Sequence, residues 1–85
     1  MPGQRNLPRV FVDFQNDDQH GRVRLNTVGT LQDLSRIGII LQEGTELLLC
    51  CHEFEAEGIV TYSAEEGQRV AKIDLNKLRD LPGNR

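Results

Sequence analysis

The apolar residues of this chain come in short runs that alternate with polar residues, and this period of two is the feature that most limits the possible folds. Successive side chains of a strand point to opposite faces, so the alternation predicts β structure. Four segments alternate in this way: residues 9–15, 22–26, 57–63 and 68–75. A fifth, residues 45–52, is apolar on both faces in its middle, which predicts a central strand covered on both sides.

The first two strands are separated by residues 16–21, which are rich in turn-forming Asn, Asp and Gly. They are therefore expected to form a hairpin. Matching their apolar faces places Asp13 opposite Arg22 or Arg24, so the hairpin predicts a cross-strand ion pair. The strands at 57–63 and 68–75 predict a second hairpin.

One short helix is predicted between the second and third strands, over residues 30–37. Thr30 followed by Asp33 fits a capping box in which Asp replaces the usual Glu. Gly38 suits a left-handed residue that ends the helix. Leucines at every third position from Leu75 to Leu81 predict a single helical turn near the end of the chain.

The 85 residues suffice for one domain. We expect residues 9–81 to form it, with a loose lead-in at 1–8 and a loose tail at 82–85. The predicted fold is mainly β with one short helix: a small five-stranded, curved antiparallel sheet or barrel, because curling buries both faces of the central strand and protects the edges. In the order of its elements over residues 9–81, the chain resembles SH3-like or OB-like small barrels.

Net charge and aromatic content argue against some partners. The formal charge is -3, and the only aromatic residues are three Phe and one Tyr. An acidic chain repels phosphate backbones and anionic membranes, and few rings are present on which bases could stack. No apolar run is long enough to span a bilayer, and residues 1–6 show no signal segment. The sequence therefore predicts no membrane partner.

The segment Cys50-Cys51-His52-Glu53 contains only potential metal ligands, but strand geometry sends neighbouring side chains to opposite faces. A zinc site needs about four ligands, and no second cluster supplies them. A catalytic Cys50–His52 pair would need electropositive surroundings, whereas several glutamates follow. The favoured interpretation is that the cysteines fill core space and His52 ends the strand. No catalytic residue, metal or cofactor is predicted, and free thiols favour the reducing cytoplasm.

Two groups of surface residues are candidates for binding. Arg22 and Arg24, with Lys72 nearby, could form a small basic face for nucleic acid, although Asp13 lies on the same face and favours an ion-paired, solvated surface. Phe11 falls on an outward face, as does Ile59. Exposed together, those two would form an apolar patch, which makes a homodimer a serious alternative to a monomer.

These patterns favour a small, non-enzymatic binding or interaction module that acts through a partner protein. The alternative is a small barrel that binds RNA or DNA through Arg22 and Arg24. In general character the chain also resembles many short bacterial proteins.

Overall fold

The computed structural model describes residues 7–81 and confirms a mainly β fold with one short helix. A mixed sheet of five strands, joined by a short sixth, curls into a half-barrel. The elements in chain order are β1 (Arg9–Phe11), β2 (Val23–Arg24), α1 (Val28–Ile37), β3 (Glu46–Cys50), β4 (Phe54–Ser63), β5 (Gln68–Ile73), a 3₁₀ turn (Leu75–Lys77) and β6 (Arg79–Asp80). Of the predicted lead-in and tail, residues 1–6 and 82–85 lie outside the described residues.

The strand order is β1-β3-β4-β5-β2, and the short β6 pairs with the start of β4. The predicted hairpin of β4 and β5 is confirmed, with Val60 opposite Ala71. The first predicted hairpin is wrong. β1 instead runs parallel to β3, with Val10 beside Leu49, so the sheet is mixed rather than wholly antiparallel.

The first hairpin is absent because the segment between the two strands folds back on β2 itself. The amide of Asp18 donates to the carbonyl of Arg22, and the amide of Arg24 donates to that of Asn16. These bonds occupy one edge of β2, while β5 pairs along its other edge. No side of β2 is then left for β1, and β1 satisfies its backbone against β3.

The inner face of the half-barrel forms the core. Alternate residues of the strands meet there, as their spacing predicted, and Leu34 of α1 covers them. Nine buried residues make up this cluster: Val10, Val12, Val23, Leu25, Leu34, Leu47, Leu49, Val60 and Ala71. Such a thin core means that each of its large side chains matters to stability.

Helix α1 begins at Val28, two residues earlier than expected, and is capped by Thr27, whose side chain accepts from the amide of Thr30. The predicted capping box of Thr30 and Asp33 is wrong, because both side chains bond to β1. Thr30 Oγ1 donates to the carbonyl of Phe11 at 2.7 Å, and Asp33 Oδ2 accepts from its amide at 2.8 Å. Gly38 ends the helix with φ 79°, in the left-handed region as predicted.

Candidate interaction site

All three phenylalanines of the chain line one open groove of about 480 Å³, which we call the Phe groove. Phe11, Phe14 and Phe54 form its apolar walls with His52, and Asp13 and Glu53 are its only acidic residues. The groove lies where the chain leaves β1, where β3 turns into β4, and where α1 begins. Binding sites are commonly concave and largely apolar with a few polar groups, and this groove has that character.

Two ring contacts set the shape of the Phe groove. Phe14 packs against Phe54 with ring centroids 4.9 Å apart and planes at 41°. Phe11 lies 5.9 Å from His52 with planes at 58°. Such tilted arrangements are favourable for aromatic pairs. The two pairs bring together residues that are about forty positions apart in the sequence.

A tight turn presents His52 and Glu53 at the groove. The amide of Cys51 donates to the carbonyl of Phe54 at 3.0 Å, which closes the connection between β3 and β4. On the other side, the amide of Val12 donates to the carbonyl of Cys50 at 2.9 Å and extends the pairing of β1. The groove therefore has hydrogen-bonded strand ends along two of its borders.

Helix α1 supplies the third border, and Gly29 lets its backbone approach the ring of Phe11. A Cβ atom at position 29 would lie 2.7 Å from Cδ2 of Phe11, which is closer than non-bonded carbon atoms normally approach. A larger residue there would have to displace the ring. The position of Phe11 thus depends on glycine at the start of the helix.

The rim of the Phe groove is acidic. Asp13 and Glu53 are both exposed, and no Lys or Arg lines the groove. Asp13 Oδ1 accepts from the amide of Gln15, and neither carboxylate forms an ion pair with any cation within residues 7–81. Both charges are therefore available to a bound group.

Arg22 and Arg24 do not pair with Asp13, so the predicted cross-strand ion pair is wrong. Arg22 Nε binds Asp18 Oδ2 at 2.8 Å. Arg24 donates two hydrogen bonds to Glu66, from Nε to Oε1 at 2.9 Å and from Nη2 to Oε2 at 2.7 Å. The missing hairpin explains the difference, since β5 and its turn lie beside β2 where β1 was expected.

Lys72 and Phe11 line different grooves. It is exposed on β5 and lines a second groove of about 550 Å³ with Ile59 and Leu75. Ile59 is directly opposite Lys72 on the neighbouring strand. The structure thus places Phe11 and Ile59 in different grooves, and the single apolar patch expected from them is not formed.

Cys50 and His52 do not share a face, because the strand ends at Cys50 and the chain turns. The Cys50 thiol is buried and donates to the carbonyl of Val10 at 3.5 Å. Burial raises the pKa of the Cys50 thiol, which is unfavourable for a nucleophile. Cys50 and Cys51 are both free thiols. Across residues 7–81, no three His, Cys, Asp or Glu side chains are grouped as a metal site would require.

Sequence reasoning missed Phe14, Phe54 and His52 as parts of a site. The alternation over residues 9–15 places Phe14 on the inward face with Val10 and Val12, and nothing local in the sequence connects it to Phe54. The available signal was their rarity: a chain with four aromatic residues places three of them in one groove.

Within residues 7–81, no helix is long enough and apolar enough to cross a membrane. The chain was also compared with protein-family models, with curated proteins and with solved structures, and none of the three comparisons found a match.

Proposed function

We propose that this protein is a small, non-enzymatic interaction module that binds a partner protein through the Phe groove. The observation that carries the proposal is the convergence of Phe11, Phe14 and Phe54 on one open groove. Aromatic residues in preformed concave sites supply much of the binding free energy at protein interfaces. The occupant we propose is a bulky apolar side chain from a segment of the partner.

The rigidity of the borders supports this proposal. Strand pairing at Val12 and Cys51 and the contact of Gly29 with Phe11 hold the walls in place before any ligand arrives. A preformed site loses little conformational entropy on binding. The Phe groove can therefore bind one side chain usefully although it is small.

The nucleic-acid alternative has less support. It rests on Arg22 and Arg24, and the guanidinium groups of both are paired with carboxylates of this chain. A phosphate would have to displace those carboxylates, which lowers the gain from each contact. We keep nucleic acid as the competing outcome of the experiment. The cytoplasmic location and the bacterial type remain predictions, the first supported by two free thiols.

The first test is a proton–nitrogen NMR titration with two capped peptides, acetyl-Gly-Gly-Phe-Gly-Gly-amide and acetyl-Gly-Gly-Ala-Gly-Gly-amide. We expect the Phe peptide to shift the amides around Phe11, Cys51 and Phe54, and the Ala peptide to shift them far less. Phe11→Leu should weaken binding of the Phe peptide about threefold to tenfold, since an aromatic contact contributes about 0.5–1.5 kcal/mol beyond its area.

The matched control is Tyr62→Leu, which removes an exposed aromatic ring outside the groove and should leave binding unchanged. Shifts confined to other surfaces, or equal binding by Phe11→Leu, would contradict the proposal. A parallel titration uses mixed-sequence RNA and DNA at low salt. Shifts around Arg22 and Arg24 that salt reverses would support the nucleic-acid alternative instead.

A further inference from the structure

The charged residues around the Phe groove indicate what kind of partner segment it would bind. Its two charged side chains, Asp13 and Glu53, have the same sign and are exposed. The second groove is different, since it contains Lys72 and Lys77 as well as acidic residues. Of the two grooves, only the Phe groove presents an apolar interior with a rim of a single charge.

Five other carboxylates within residues 7–81 are already paired with an arginine or a lysine. Arginine side chains pair with Asp18, Asp33, Glu55 and Glu66, and Lys77 pairs with Glu57. Asp13 and Glu53 face the groove without such a partner within residues 7–81. A ligand with positive charge could therefore bind there without displacing an internal ion pair.

We infer that the partner segment carries a lysine or arginine next to the bulky apolar side chain that enters the Phe groove. This inference rests on the function proposed above and specifies its partner. The apolar side chain contacts Phe11, Phe14 and Phe54, and the neighbouring cation lies at the rim near Asp13 and Glu53. Complementary charge favours the correct partner and repels acidic segments.

The test compares three capped peptides with the same central ring: acetyl-Gly-Lys-Phe-Lys-Gly-amide, acetyl-Gly-Gln-Phe-Gln-Gly-amide and acetyl-Gly-Glu-Phe-Glu-Gly-amide. The Kd of each is measured from the NMR shifts of the groove amides at low salt. We expect the Lys peptide to bind about fivefold tighter than the Gln peptide, as exposed ion pairs allow, and the Glu peptide to bind weakest. Near 1 M salt, where the Debye length is about 3 Å, the three should converge.

The double variant Asp13→Asn with Glu53→Gln should remove the preference for lysine, so that the Kd values of the Lys and Gln peptides become equal. A matched control, Asp17→Asn with Asp74→Asn, changes the net charge equally at two acidic residues outside the Phe groove. It should keep the preference. This comparison separates a local contact at the rim from attraction by the net charge of the chain.

Equal Kd values for the Lys and Gln peptides, or loss of the preference in the control variant, would overturn the inference while leaving the Phe groove as a binding site. If none of the three peptides shifts the groove amides, the proposed function itself fails, and the inference fails with it.

Discussion

Glu55 is a carboxylate placed where carboxylates are rarely found. It is 3% exposed in the middle of the sheet, between β3 and β6. Arg9 Nη1 binds its Oε1 at 2.9 Å, and Arg79 Nε binds its Oε2 at 2.6 Å. Burial acts to raise the pKa of Glu55, but the hydrogen bonds and charges of Arg79 and Arg9 outweigh it and lower that pKa overall.

Because the pKa of Glu55 is lowered in the folded protein, this residue makes the stability of the fold depend on pH. A folded-state pKa below that of the unfolded chain adds stability at pH values above the unfolded value of about 4.5, and that contribution is lost as pH falls through the folded-state pKa. We expect Glu55→Gln to lower the free energy of unfolding by about 1–2 kcal/mol at neutral pH and to flatten the acid decline, measured by urea denaturation.

Glu65→Gln is the control for that experiment, because Glu65 pairs with His20 on the exposed surface. Its effect on unfolding should stay below about 0.5 kcal/mol. An equal loss of stability in both variants would show that the burial of Glu55 between two arginines has no special role.

Strand β4 is the element on which the rest of the sheet is assembled. It pairs with β3 and β6 in its first half and with β5 in its second. Gly58, at the change between these halves, faces the core. A Cβ atom there would lie 2.5 Å from Cδ1 of Leu49 and 3.2 Å from the carbonyl oxygen of Lys72.

We therefore expect Gly58→Ala to destabilise the fold by about 1–3 kcal/mol, because the added methyl group overpacks a close contact. Leu49→Ala removes the Cδ1 atom that the added methyl group would meet. In the Gly58→Ala background it should cost measurably less than in the natural chain, a coupling that a double-mutant cycle by urea denaturation detects. Strictly additive costs would contradict the proposed clash.

The elements that could be predicted from the sequence are those with local signals. The hairpin of β4 and β5 and the end of α1 at Gly38 follow from alternation and turn chemistry within a few residues. The parallel pairing of β1 with β3 could not be predicted, since it joins strands separated by α1 and depends on which edge remains open. The burial of Glu55 could not be predicted for the same reason, since it depends on the central place of β4 in the sheet.

The candidate site, too, could be predicted only in part from the sequence. Phe11 could be singled out because the alternation placed it on an outward face. Its neighbours in the Phe groove come from the connection between β3 and β4 and from the start of α1, and their meeting is a product of the parallel pairing. Arg22 and Arg24 form ion pairs with Asp18 and Glu66 and not with Asp13, because the strand order differs from the predicted hairpin.

At the scale of the whole molecule, the two neighbouring cysteines differ in how deeply they are buried. Cys50 is buried on β3, between β1 and β4, whereas Cys51 is half-buried at the groove. Burial also raises the pKa of the Cys50 thiol and so lowers its reactive fraction. Adjacent residues are thus expected to have very different accessibility.

We predict that iodoacetamide at mildly alkaline pH modifies Cys51 rapidly in the folded protein. Cys50 should react only when the sheet opens, so its rate should rise with urea in step with global unfolding. Mass spectrometry of the Cys51→Ser variant, in which Cys50 is the single thiol, measures this rate directly. Rapid modification of that variant without urea would contradict the assigned position of Cys50.

The two outer strands of the sheet are partly covered by other parts of the chain. Thr30 and Asp33 of α1 bond to the backbone of β1, and residues 16–18 bond along β2. Backbone groups of β1 and β2 are thus already bonded within the chain at these points, which opposes the addition of a foreign strand at either place. A partner that binds beside β1 or β2 must then be distinguished by its side chains. Selectivity in such a protein depends on amino-acid identity instead of on any extended peptide that happens to come near.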